Sequence, residues 1–489
     1  MNKPLRRIAI FCGLLILTLL IRDNWLQYAK ADSLSQDPAN RRVLIARYAT
    51  PRGDIIVGGS PITGHTQTEG DFKFKRTYKN GAMWAPVTGF VSQAYGANQL
   101  ESVNDGILSG TDDRLFFRNT LDMITGKENK GGNVVTTLNA AAQKAAYDGL
   151  KAQGGKGAVA AIEPSTGKIL ALASFPSYDP STIAGGSTSD EKAWKKLQKK
   201  NNPADPMLNR ALREVYPPGS TFKVVTAAAA LEHGLYTDAD EKTDSPDPWT
   251  MTGTNTKLPN EGNIPCKNAT LRVALQYSCN TVFGKVGADL GNEKMLETAK
   301  AFGFTEEQFT PVRATASVFS DDMNPSQTAL SSIGQFNTAT TPLQMAMVAS
   351  AVANGGTLMK PYMVDELQTH NLDAIEKTDP EELGKPLSAE NAQILQSMME
   401  TVVEKGTGTK ARIPNATVGG KTGTAQHGVD NSENPYAWFI SYAKVDDSAP
   451  VAVAVVVEDE NAVRDDISGG GLAAPIAKSV MEAVINSKK

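Results

Sequence analysis

At 489 residues and 52.1 kDa the chain is too long for one compact core and fits two or three domains. Its 40% apolar and 21% charged residues describe ordinary globular protein and exclude collagen-like, cysteine-framework and wholly disordered classes. A net charge of -4, 3 Cys and 4 scattered His (His65, His233, His370, His427) argue against nucleic acid and against any metal site, and no Gly-rich phosphate loop points to a nucleotide cofactor.

In chain order, Lys3, Arg6 and Arg7 precede an uncharged apolar run of 14 residues, Ile8 to Ile21, followed by Arg22, Trp25 and Tyr28. The run is nearer a signal-peptide core than the roughly 20 residues wanted for a span, and Ala29-Lys30-Ala31 resembles a cleavage site. Against cleavage, Trp25 and Tyr28 extend the segment as interfacial anchors, Arg22 can snorkel to the headgroups, and the basic cluster lies on the inner side. The expectation is an uncleaved single-pass anchor in residues 1–31, seated in the plasma membrane with the rest of the chain outside the cytoplasm.

Residues 32–150 read as a separate non-catalytic module of short strands and loops, a spacer or docking unit, with glycine pairs at Gly58-Gly59 and Gly131-Gly132. Its segment Thr50-Pro51-Arg52-Gly53-Asp54-Ile55 shows no chemistry. Ala140 to Leu150 is helical in pattern, and Gly157–Ile162 and Lys168–Ser174 are apolar runs joined by Glu163-Pro164-Ser165-Thr166-Gly167, which reads as a hairpin. Asp190 to Lys200 reads as a solvated helix face. Tyr436–Ala443 and Val451–Val457 are strand-like, and Ala473–Ile485 is an apolar helix after Gly469-Gly470-Gly471. Strands at both ends of residues 151–489 with helices between them predict an α+β domain closed by its last helix.

Chemistry begins at Tyr216-Pro217-Pro218-Gly219-Ser220-Thr221-Phe222-Lys223, where loop punctuation gives way to a buried helix. Backbone N–H groups at a helix start have no intrahelical partner and can stabilise a developing negative charge at Ser220. Lys223, three residues on, shares a face with Ser220 and can reach its hydroxyl. It helps only when neutral, which requires desolvation and a nearby positive charge. The S-x-x-K pattern alone is weak, since it recurs at Ser165/Lys168, Ser189/Lys192 and Ser441/Lys444. Those three fall in a turn, a charged stretch and a strand, where positions i and i+3 face opposite ways. Only Ser220 has a buried helix behind it.

Ser278-Cys279-Asn280 presents a hydroxyl and an amide, although S-x-N also occurs at Ser102/Asn104 and Ser432/Asn434 and an ordinary polar turn would look the same. Lys421-Thr422-Gly423-Thr424 carries the only K-T-G of the chain, inside a strand-like run from Val418 to Ala425. Gly419, Gly420 and Gly423 are poor strand formers and suggest close backbone approach of a ligand. Lys421 and the hydroxyls of Thr422 and Thr424 offer a cation and donors suited to a carboxylate.

The sequence S-T-F-K, then S-C-N 58 positions later, then K-T-G 141 beyond Asn280 resembles the penicillin-binding and serine β-lactamase superfamily. Tyr216–Lys223, Gly334-Gln335, Thr341-Pro342-Leu343-Gln344, Ala437-Trp438-Phe439 and Gly469 to Pro475 are similar to class B penicillin-binding proteins, from about residue 136 to the end. The layout, anchor included, resembles the actinobacterial branch of that class. Cys279 stands where β-lactamases often have Asp, and Arg52-Gly53-Asp54-Ile55 is only part of the usual class B N-terminal box.

The resemblance implies an antiparallel sheet flanked by helices and a D,D-transpeptidase that needs no cofactor, cross-links peptidoglycan stem peptides and serves cell-wall growth in cell shape or division. It makes Ser220 the nucleophile, Lys223 its base, Ser278 the relay to the leaving amine, and Asn280 a holder of the substrate amide. Lys421, Thr422, Gly423 and Thr424 would receive the substrate's terminal carboxylate and backbone, and β-lactams would acylate Ser220. A polytopic lipid II polymerase is the implied membrane partner. Of the alternatives, a β-lactamase lacks an E-x-x-L-N segment here, a D,D-carboxypeptidase differs only in using water as acceptor, and a β-lactam sensor should carry several spans. A bifunctional glycosyltransferase would need more than residues 32–150.

Cys266 and Cys279 lie 13 positions apart. A bridge would tie the Ser278/Asn280 turn to the preceding loop, but two small buried thiols, with Cys279 filling a tight space, is the favoured reading.

Overall fold

The apolar runs that open and close the C-terminal two thirds of the chain meet in one sheet. In the computed structural model, which describes residues 3–35, 37, 40–115, 130–428, 431–458, 463–464 and 467–488, five antiparallel strands lie in the order Thr417–Ala425, Tyr436–Val445, Ser448–Glu458, Lys156–Ile162, Ile169–Phe175. The expected hairpin is the pair of strands at one edge, and the sheet closes where Ser448–Glu458 pairs with Lys156–Ile162, Val455 opposite Val159.

Alternate residues of these strands enter two different cores. Ala158, Ala160, Ile162, Ala452, Ala454 and Val456 pack with the helices Lys223–Glu232, Asn280–Ala301 and Pro342–Ala353. Val159, Ala161, Val453, Val455 and Val457 pack with Ala140–Gln153 and the terminal helix Ala474–Ser487, through Ala142, Ala146, Ile476 and Val480. Burial on both faces is why the strand sequences are continuously apolar rather than alternating. The edge strand opposite the hairpin is Thr417–Ala425, which carries the K-T-G motif.

The N-terminal module departs from the expected strands and loops. It contains the helices Arg41–Ala49, Gly81–Thr88, Gln99–Val103 and Asp105–Ser109, all short, and Pro86 inside one of them masks its periodicity. Its sheet is also not local. Ile55–Val57 pairs in parallel with Asn133–Thr136, which pairs in turn with Val364–Gln368 and then Ala374–Lys377, strands supplied from far along the chain. Arg52, read from sequence as silent, anchors a buried ion network. Its guanidinium reaches Glu101 Oε2 and Asp105 Oδ1, both at 2.7 Å, while Arg76 Nε meets Glu101 Oε1 at 2.6 Å. Burial alone would raise the Glu101 pKa, but Arg76 and Arg52 together hold it below its ordinary value.

Lys3–Tyr28 is one helix of 26 residues with no buried residue and a mean hydropathy of 2.0 over its most apolar window. At 1.5 Å per residue it reaches about 39 Å, enough to cross a bilayer.

Candidate active site

Ser220 lies in a single tight turn, Gly219–Phe222, that runs directly into the helix Lys223–Glu232. Thr221, Phe222 and Lys223 are buried, so Ser220 is the residue of the turn that faces the cleft. The turn is clamped on every side. Tyr216 exchanges two backbone hydrogen bonds with Thr340, of 2.9 and 2.8 Å. Gly219 N donates to Gly334 O at 2.9 Å, and Trp438 Nε1 donates to Pro217 O at 3.0 Å. Gly334 has φ +75°, and a Cβ there would lie 2.0 Å from Gly219 O, so no side chain fits. Gly334-Gln335, the Thr341-Pro342 approach and Ala437-Trp438-Phe439, which the sequence offered only by resemblance, thus form the frame that holds the Ser220 turn.

The three rival serines have other occupations. Lys168 pairs with Asp365 at 2.8 Å, Ser189 Oγ lies 2.8 Å from Ser187 Oγ, and Ser441 is wholly buried, donating to Met481 Sδ at 3.6 Å.

Lys223 and Lys421 are both fully buried and converge on Ser278. Lys223 Nζ donates to Ser278 O at 2.6 Å, Asn280 Oδ1 at 2.7 Å and Ser278 Oγ at 3.3 Å. Lys421 Nζ donates to the same Ser278 Oγ at 2.9 Å and to Thr422 O at 2.9 Å. Among the described residues, the hydrogen bonds of Lys223 run to Ser278 and Asn280 rather than to Ser220. Desolvation, followed by the charge of Lys421, pushes the Lys223 pKa well below its ordinary value. Burial pushes Lys421 down to about 7, and the Glu261 carboxylate opposes both shifts. The two conditions set from sequence for a useful lysine, desolvation and a positive neighbour, are both met.

Ser278 closes the helix Leu271–Tyr277 in the left-handed region, with φ +63°, and Asn280 opens the next helix, Asn280–Ala301. Cys279 between them is bonded to Cys266, with Cα atoms 5.6 Å apart, which overturns the reading of two free buried thiols. The loop before Cys266 folds back on the motif: Asn260 Nδ2 donates to Thr281 Oγ1 at 2.9 Å and Thr281 N donates to Asn260 Oδ1 at 3.1 Å. That fold-back, invisible in a spacing, brings the sulfurs together.

Between this wall and the edge strand lies a cleft of about 380 Å³ lined by Ser220, Ser278, Asn280, Thr422 and Thr424. Lys223, Lys421 and Gly423 stand behind its surface. The glycines of the strand make room for neighbouring protein groups. A Cβ on Gly419 or Gly420 would strike the rings of Tyr442 and Phe439, and one on Gly423 would lie 3.0 Å from Pro218 O in the serine turn. Sequence reasoning missed Thr407, whose Oγ1 is 2.6 Å from Thr422 Oγ1, and Glu261, Tyr277 and Ser468, which also line the cleft. Thr407 between Gly406 and Gly408 carries no signal beyond that of a turn, and Glu261 none beyond that of a polar loop.

A serine at a helix start, faced by two buried lysines that share a hydroxyl and bordered by a sheet edge, is the architecture of a penicillin-recognising acyl-transfer fold. Residues 157–482 match the penicillin binding protein transpeptidase domain and residues 52–134 the penicillin binding protein A dimerisation domain, and the chain belongs to the class B penicillin-binding protein transpeptidases. It is 41% identical over 499 residues to the peptidoglycan D,D-transpeptidase PbpA of Mycobacterium tuberculosis, covering 100% of both chains. It is 40% identical over 496 residues to PbpA of Mycolicibacterium smegmatis, with 99% of each covered. The ceftriaxone acyl-enzyme of M. tuberculosis penicillin-binding protein A superposes with a TM-score of 0.85 at 40% identity, covering 90% of this chain and 100% of that one.

Proposed function

We propose that this protein is a peptidoglycan D,D-transpeptidase that works through a Ser220 acyl-enzyme. The observation that carries the reading is the convergence of Lys223 and Lys421 on Ser278 Oγ beside Ser220, four positions contributed by three distant segments. The full-length likeness to two enzymes named for this activity supports it.

Neutral Lys223 takes the Ser220 proton as Oγ attacks the carbonyl carbon of the penultimate D-Ala. The C–Oγ bond forms, the bond to the terminal D-Ala nitrogen breaks, and Ser278, fed by Lys223 and Lys421, returns a proton to that amine. Thr422, Thr424 and Lys421 receive the terminal carboxylate, whose charge raises the Lys421 pKa again, and Asn280 holds the substrate amide. Gly423 keeps the strand close to the serine turn. The N–H groups of Ser220 and Thr424 form the oxyanion hole, each such donor being worth roughly 2.7–4 kcal/mol in acyl-transfer enzymes. A second stem peptide's amine then resolves the ester, and a β-lactam, mimicking the D-Ala-D-Ala end, stalls it.

The same proposal divides the chain into an anchor of residues 1–31, a non-catalytic module of 32–150 and a catalytic part of 151–489. It places the catalytic part outside the cytoplasm, with a polytopic lipid II polymerase docking on the anchor and module. Residues 52–134 and 157–482 support the division, although Ala140–Gln153 packs against the catalytic sheet.

The test is incubation of the full chain in detergent with glycan strands bearing D-Ala-D-Ala stem peptides. Mass spectrometry should find free D-Ala together with cross-linked dimers. D-Ala with trimmed monomers alone would instead make the protein a carboxypeptidase, and no release would remove the activity altogether.

A further inference from the structure

Glu261 is the one charged side chain that lines the cleft surface among the described residues, and the transpeptidation steps assign it no part. Its position is built rather than incidental. The loop is pinned on one side of it by the paired Asn260–Thr281 hydrogen bonds and by Asn280 Nδ2 donating to Pro259 O at 3.4 Å. On the other side Cys266 ties the loop covalently to Cys279. The loop that carries Glu261 is thus tied to the Ser278/Asn280 wall, and Glu261 lines the same cleft as Thr422 and Thr424, which receive the donor's anionic end.

For the acylation half of the reaction this carboxylate is a disadvantage. It favours the protonated forms of both Lys223 and Lys421, whereas Lys223 must be neutral to accept a proton from Ser220. It also repels a substrate that arrives with a free carboxylate. The second half of the reaction has the opposite requirement. The acceptor is a primary amine, which near neutral pH is mostly an ammonium ion. An anionic group at the mouth of the cleft concentrates and orients such a cation beside the ester.

We infer that Glu261 is the docking group for the acceptor ammonium, and so sets the preference for amine over water in resolving the Ser220 ester. The inference rests on the transpeptidase reading above. The balance of the step is simple. The docked ammonium gives one proton to water; the free amine nitrogen attacks the ester carbon, the C–N bond forms and the C–Oγ bond breaks. The second N–H proton passes through Lys223 and Ser278 to Ser220 Oγ. Glu261 binds and positions the acceptor and is not the base.

The test uses the full chain in detergent with a D-Ala-D-Ala-mimicking thioester as donor and two acceptors, glycine amide, which carries an ammonium, and hydroxylamine, which is neutral. In Glu261→Gln the half-saturating concentration of glycine amide relative to that of hydroxylamine should rise about fivefold, the upper end for an exposed ion pair. Glu261→Asp should recover part of the preference, and added NaCl should erode it in the unaltered protein. Equal effects on both acceptors, or none, would overturn the inference. Fluorescent penicillin labelling of the same samples separates this failure from that of the parent reading: without a Ser220 adduct the transpeptidase assignment itself falls, whereas an adduct with unaltered acceptor preference removes Glu261 alone.

Discussion

In the proposed mechanism Lys223 serves Ser220 only while it is neutral, and its burial beside Lys421 shifts its pKa downward, toward that form. Replacing Lys421 by Ala deletes the positive neighbour and raises the Lys223 pKa, so the acid limb of the penicillin acylation profile should move to higher pH. Stopped-flow acylation across pH 5 to 10 reads this, and an unmoved limb would show that the two lysines are uncoupled. The same burial makes a stability statement. Lys421 titrates near 7 in the folded protein against 10.5 for an ordinary lysine, so between those values the unfolded chain holds a proton that the folded one has released. Stability therefore rises with pH across that window. Denaturant midpoints at pH 7, 8 and 9 should climb in the unaltered protein and climb less in Lys421→Met; parallel slopes would contradict the assignment. At this scale the sequence was legible where chemistry is local. Ser220 and Lys223 are one helical turn apart, so spacing and a buried helix behind them were enough to single out this pair, which the structure sets at the cleft. Thr407 and Glu261 reach the cleft only through tertiary folding, and no local pattern marks them.

Among elements, the Ser220 turn is the most heavily constrained. Gly334 abuts Gly219 so closely that Gly334→Ala must push the turn, and displacement of a reacting group by about 1 Å costs on the order of a hundredfold in rate. Acylation of this variant by penicillin should slow by about that factor while its far-UV circular dichroism is retained; an unchanged rate would mean that the turn is not held from this side. The Cys266–Cys279 bridge constrains the facing wall. Reduction should slow acylation by loosening Ser278 and Asn280, and should lower stability by roughly 3 kcal/mol, the usual value for closing a loop of this length. Rates equal before and after reduction would leave the bridge a purely structural tie. The strands and their order along the chain could be read from apolar runs because both faces of the sheet are buried. The glycines of the edge strand also answer a packing need that the motif does not show, because the rings of Tyr442 and Phe439 beside Gly419 and Gly420 sit on the neighbouring strand.

For the whole molecule, the segments before and after residue 150 are interlocked. Val364–Gln368 completes the sheet of the N-terminal module, and Ala140–Gln153 covers one face of the catalytic sheet. A local reading of residues 32–150 cannot show partners more than two hundred positions away, and for that reason the module looked self-contained. A fragment of residues 151–489 should consequently bare an apolar sheet face and an unpaired strand, aggregate, and bind no penicillin. A fragment of residues 32–489 should acylate as fast as the full chain, since the apolar N-terminal helix buries no residue against the rest. Equal penicillin binding by both fragments would show that the module is dispensable to the fold. The most direct test of the central claim is to react the full chain with fluorescent penicillin, digest it and map the adduct by mass spectrometry. The account requires the label on Ser220, absent in Ser220→Ala although that variant keeps its melting temperature; label recovered on Ser165, Ser189 or Ser441, or persisting in Ser220→Ala, would contradict it.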